Sequence, residues 1–106
     1  LADVNLSGAN LSEANMLVVN LTGANLTDAW LWGAKMTGAN LRRADLTGAD
    51  LRNAILGEAN FRKANLVDAD LSGASLNSAN LTGADLSGAT LDNVTWPEGW
   101  KLVRDE

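Results

Sequence analysis

The chain has 106 residues, 8 Lys+Arg against 13 Asp+Glu for a formal charge of −5, and no Cys and no His. One small domain fits that length. The missing residues exclude disulfides, soft-metal ligation, thiol nucleophiles and imidazole acid–base chemistry, while the acidic balance disfavours nonspecific binding to nucleic acid or an anionic membrane.

The chain opens at Leu1 rather than at an initiator Met, which predicts that an N-terminal segment has been removed. From there the sequence is one unit repeated. Every fifth residue from Leu1 to Trp96 is large and apolar, mostly Leu, with Met16, Met36, Phe61 and Trp96 as the exceptions. Two residues before each comes Ala, or Val at Val4, Val19 and Val94. Asn or Asp stands between the pair in 13 of 19 repeats, and Gly follows two residues after the Leu in 8. Five residues advance an α-helix by about 500°, so successive leucines would spiral round its axis. On a straight strand they would alternate faces. What remains is a short extended segment with Ala and Leu inward and Asn/Asp outward, followed by a two-residue corner rich in turn formers. Identical corners make the chain coil, and coils stack through strand-like hydrogen bonds into a β-solenoid.

Four units close one coil. At a trial period of twenty, the columns Asn20/Asn40/Asn60/Asn80 and Asn5/Asn25/Asp45/Asn65/Asp85 hold nothing but Asn and Asp. The remaining two columns collect the deviations: Trp30, Lys35, Ile55, Ser75, Thr90 and Thr95.

These residues resemble the pentapeptide repeat family, whose signature A-(D/N)-L-x-x stands intact in Ala9-Asn10-Leu11 and Ala84-Asp85-Leu86. The resemblance implies an all-β fold: a right-handed quadrilateral β-helix of about five coils, four pentapeptides to each. The ending Thr95-Trp96-Pro97-Glu98-Gly99-Trp100 resembles that of cyanobacterial members. We expect residues 1–96 to form the β-helix and 97–106 a C-terminal cap. Pro97 would stop the ladder at the first position of a helical turn, with Trp100, Leu102 and Val103 folding across the last coil. The N-terminal coil shows no cap, so either earlier residues covered it or it pairs end to end with another chain. The expected setting is soluble: cytoplasm, or periplasm or thylakoid lumen if a signal peptide was removed.

Outward apolar residues Leu17, Val18, Trp30, Trp32 and Ile55 fall on the adjacent third and fourth faces, forming a candidate protein-binding surface. The plainer alternative is local packing, with Trp32 stacked on Arg52. Asp28, Asp45, Asp50, Asp68, Asp70 and Asp85 form an acidic edge on the second and third faces. Because some pentapeptide repeat proteins resemble duplex DNA and bind DNA gyrase in its place, this edge carries the alternative reading, an acidic DNA mimic. Against it stand the modest charge and a basic cluster, Arg42, Arg43, Arg62 and Lys63, on the first face. Asp45, Asp3 or solvent would relieve the repulsion within that cluster. No constellation of acid, base and nucleophile stands out, and no cofactor or metal site is expected. The reading is a non-catalytic structural or protein-interaction module with an unidentified protein partner.

Overall fold

The computed structural model describes residues 1–99. They form a stack of coils, here numbered 1 (1–20), 2 (21–40), 3 (41–60), 4 (61–80) and 5 (81–96), with overall dimensions of 38 × 23 × 22 Å. Single-residue parallel bridges join positions twenty apart, as in Asn5 to Asn25, Asn25 to Asp45 and Asp45 to Asn65. The superperiod read from the Asn/Asp columns is therefore the height of one coil. Faces are numbered from the central residues Leu41, Leu46, Leu51 and Leu56.

Each face contributes three rungs between neighbouring coils. Leu26 N–H donates upward to the Asp45 carbonyl at 2.7 Å, Asp28 N–H to the Thr47 carbonyl at 2.9 Å, and Asp45 N–H downward to the Ala24 carbonyl at 2.9 Å. The corners are closed by a bond from the residue three after the Leu back to its carbonyl, as in Ala44 N–H to Leu41 at 3.0 Å. The residue before that donor has positive φ throughout coils 1 to 4, where Gly57 lies one place earlier in its corner. This is the pattern of a type II turn. Corners closed by Ala have bonds of 2.9–3.1 Å, whereas Val4 and Val19 stretch theirs to 3.3 Å. An extra branched side chain at the small inward position pushes the corner open.

The core is a column of Leu over Leu flanked by Ala over Ala. From Leu21 to Leu81 every inward residue is buried, Phe61 and Met36 included, and no polar or charged residue joins them. Apart from exposed Leu1, the inward positions of coil 1 are half-buried, as are those of coil 5 beyond Leu81, because each of these coils has a neighbour on one side only among the described residues.

The corners also carry an alternation. Non-glycine residues in the left-handed region place their side chains over a glycine in the next coil: Asp3 over Gly23, Asp28 over Gly48, Asn53 over Gly73 and Asp68 over Gly88. At these glycines a Cβ would collide with the side chain from below. The signal lies in the sequence as Gly8, Asp28, Gly48, Asp68, Gly88, twenty residues apart.

The last ladder bridge joins Ser75 to Thr95. Trp96 is half-buried, Pro97 is buried, and a turn follows at Glu98 and Gly99. The expected packing of Trp100, Leu102 and Val103 lies outside the described residues.

Candidate protein-interaction site

On the first three faces the outward Asn and Asp residues are structural caps. Asn40 Oδ1 accepts the Arg42 N–H at 3.1 Å, and Asn60 Oδ1 the Arg62 N–H at 3.0 Å. Asp45 Oδ1 accepts both the N–H and the hydroxyl of Thr47. An acceptor two residues before a corner thus satisfies a backbone donor that the ladder leaves over.

On the second face every such position is capped, from Asn5 through Asp85. The fourth face has no such cap among the described residues. Trp30 and Ile55 stand where Asn or Asp would, and Lys35 and Ser75 do the same. The N–H groups of Trp32, Thr37, Gly57 and Asn77, two residues after these replacements, have no hydrogen-bond partner among the described residues, and that of Leu17 has none although Asn15 stands two residues before it.

The five candidate residues all lie at the surface: Val18 77%, Leu17 55%, Trp30 55%, Ile55 43% and Trp32 39% exposed. The register distributes them over two adjacent faces and three coils. Trp30 and Trp32 share the third face of coil 2, Ile55 stands above Lys35 on the fourth face, and Leu17 and Val18 lie one coil below Thr37 and Gly38. Among the left-handed residues Val18, at φ 58°, is the one with a β-branched side chain. That conformation is a genuine outlier for such a residue.

Arg52 is paired within its own face. Its Nε donates to Asp50 Oδ1 at 2.8 Å and its Nη2 to Asp50 Oδ2 at 2.6 Å. This two-pronged bond, with the Arg52 N–H as a further donor, holds the Asp50 carboxyl below the usual carboxylate range. The same bond raises the Arg52 guanidinium above its ordinary value. Trp32, Arg52 and Asn53 line a shallow cavity of about 200 Å³. Ser12, one coil below Trp32 in the same column, has a buried hydroxyl with no partner.

The acidic edge falls where the register requires it. Asp45, Asp70 and Asp85 each accept two bonds from the Thr or Ser two residues on. For Asp85 the Ser87 hydroxyl, with its N–H, lowers the carboxyl pKa. Asp50 is paired, while Asp28 and Asp68 fold over glycines. No three acidic residues gather closely enough to hold a metal ion, and no helix is long and apolar enough to cross a membrane, among the described residues.

Five-residue turns stacked in register, with capped polar faces and an all-apolar interior, define a repeat solenoid that presents a continuous outer surface. The chain belongs to the pentapeptide repeat family, whose sequence profile of eight repeat copies matches residues 1–31, 20–57 and 54–93. It is similar to HetL, a pentapeptide repeat protein involved in heterocyst differentiation regulation from the cyanobacterium Nostoc sp. strain PCC 7120. Identity is 36% and the TM-score 0.70, over 94% of this chain and 50% of HetL, so the chain spans half of HetL's length. It is also similar to Rfr23 from the cyanobacterium Cyanothece 51142, at 28% identity and a TM-score of 0.61 over 90% of this chain and 89% of that one. A third similar structure is alr5209 from Nostoc PCC 7120, with 37% identity and a TM-score of 0.51 over 92% of this chain and 77% of that one. No curated protein matches the chain significantly.

Proposed function

We propose that this chain, as a right-handed quadrilateral β-helix, is a non-catalytic protein-interaction module whose partner docks on the third and fourth faces around Trp30 and Trp32. One observation carries the reading: exposed apolar residues stand where the fold elsewhere uses Asn or Asp caps. Trp30 and Ile55 each place an apolar side chain in water and leave the N–H two residues on without its acceptor. Both changes work against the isolated rod. Val18 adds backbone strain at an exposed site, the kind of outlier that clusters where a surface has a task. A partner suited to this patch brings apolar side chains for the two indoles and carbonyl or carboxylate acceptors for the unpaired amides.

Capture from a lysate of the source cell, with the bound protein identified and then rebound in purified form, tests the reading. Trp30→Ala with Trp32→Ala abolishes capture while the far-UV spectrum and melting temperature hold. Unchanged capture by the double variant ends it.

The acidic alternative, a DNA mimic acting on gyrase, has weaker support. Four of its six carboxylates are already engaged by neighbouring donors, and Asp50 is neutralised by Arg52. Gyrase supercoiling that proceeds unaffected by micromolar protein retires it. In the same reading residues 97–106 cap coil 5. The outer edge of coil 1, where the N–H groups of Asn5, Asn10, Asn15 and Asn20 have no partner among the described residues, accepts a further coil or a second chain. Light scattering of the full chain against Leu1–Trp96 separates the two ends: growth of particles on removing 97–106 supports the cap.

A further inference from the structure

The first face holds a feature opposite in sign to the rest of the molecule. Arg42 and Arg62 follow the core residues Leu41 and Phe61, and Arg43 and Lys63 come next. The ladder joins these segments directly: Leu41 N–H donates to the Asn60 carbonyl at 2.7 Å and Arg43 N–H to the Arg62 carbonyl at 2.9 Å. Four cationic residues therefore branch from a rectangle of Cα atoms about 3.8 by 4.8 Å. All four are exposed, and the ion pair found among the described residues, Asp50–Arg52, does not involve them. The expected relief by Asp45 and Asp3 is not found as pairing. Asp45 accepts from Thr47, and Asp3 lies over Gly23.

The corner geometry points the same way. Elsewhere on the first face a left-handed side chain lies over glycine, Asp3 over Gly23 and Lys63 over Gly83. Above Arg43 stands Lys63, whose Cβ fills the space that a glycine would leave. Arg43 is denied that fold-back, and both residues hold a left-handed φ of 59°. Two strained residues of like charge are stacked at one corner of a chain whose net charge is −5.

We propose that this quartet binds a compact, multiply charged phosphoryl group, as in a diphosphate or a phosphate ester. Arginine forks match phosphate oxygens in geometry and charge. Around the quartet the face presents Asn20, Asn40, Asn60, Asn80, Thr22 and Thr82, and its one exposed large apolar residue among those described, Leu1, lies two coils below at the open end. Duplex nucleic acid is opposed by the negative field of the whole chain. The site lies opposite Trp30 and Trp32 and stands independently of the interaction surface.

Calorimetric titration of the full chain with sodium pyrophosphate at low ionic strength tests it. Saturable one-to-one binding that weakens with added salt is the expected result. Arg42→Thr with Arg62→Thr, which installs the residue this column already carries at Thr22 and Thr82, weakens binding by at least about tenfold. Arg43→Gly with Lys63→Gly also weakens binding while raising the melting temperature, so loss of affinity is separated from loss of fold. Lys35→Thr, on the fourth face, leaves affinity unchanged. Co-sedimentation with phosphatidic acid vesicles assigns the phosphoryl group to a lipid headgroup, and its absence alongside pyrophosphate binding assigns it to a soluble ligand. The proposal is overturned by no saturable heat, by equal affinity for sulfate (an adventitious ion only), by tighter binding of a polyglutamate peptide, or by double variants that bind as well as the parent.

Discussion

Asp28 extends its carboxylate over Gly48 in the coil above, into the space where a side chain at that position would start. Gly48 also sits at φ 69°, so two separate conditions favour glycine there. Gly48→Ala is expected to destabilise the chain by about 1–2 kcal/mol through the left-handed backbone alone. The collision with Asp28 adds less, since a carboxylate at the end of a rotatable side chain can swing aside. Gly8→Ala, whose added methyl would meet nothing within 4 Å, measures the backbone contribution by itself in chemical unfolding. Equal stability of Gly48→Ala and the parent would refute the requirement.

Trp30→Asn reverses the exchange on the third face. It restores an acceptor two residues before Trp32 and removes a large exposed ring. We expect a gain of about 0.5–1.5 kcal/mol from the recovered hydrogen bond, together with loss of the partner. Stability and binding then move in opposite directions, as they do where a surface is shaped for a task. A melting temperature that falls instead would show that the indole packs locally and is needed by the rod.

Valine at the small inward position is found at Val4, Val19 and Val94, in the first and last coils, where the packing is loosest. Two of these corners are stretched to 3.3 Å, and the third has no closing bond from Val94 to Leu91. In the middle of the stack the added methyls have nowhere to go. Ala44→Val is expected to cost about 1–3 kcal/mol by overpacking, read as a shift in the unfolding midpoint, whereas Val19→Ala is close to neutral.

Acid weakens the rod through its capping carboxylates. Arg52 lowers the Asp50 carboxyl and Ser87 that of Asp85, so the unfolded chain binds more protons than the folded one between the two pKa values. Stability therefore rises with pH across that window and is lost as pH falls from about 4 through the folded pKa. Asp50→Asn keeps the Oδ1 acceptor for the Arg52 N–H but does not titrate. Its melting temperature is expected to lie below the parent's at neutral pH, with the gap closing on acidification. A gap that stays constant down to about pH 2 would remove Asp50 from the acid response.

The coil was legible because one number, five, recurs at the core and another, twenty, recurs in the outward Asn and Asp. Those columns are set by backbone hydrogen bonding, which the local residue type reports directly. The glycine alternation was equally legible at Gly8, Asp28, Gly48, Asp68 and Gly88, yet its meaning needs the side chain of one coil to be seen over the next. The Asp50–Arg52 pair was not evident either. A residue two places along a face and a residue one coil above are comparable in reach, and rotamers choose between them. The bare amides of Thr37 and Gly57 follow from sequence once the role of the Asn/Asp cap is known, since Lys35 and Ile55 cannot accept a hydrogen bond, whereas that of Leu17 does not, because Asn15 precedes it.

Every rung described here joins residues nineteen to twenty-one positions apart, as in Leu26 to Asp45 and Asp45 to Ala24. Length in such a rod is quantised. Excising residues 21–40 would return every later side chain to its own face one storey lower, whereas excising five would turn all that follows by a quarter circle and carry the fourth-face amides round to another side.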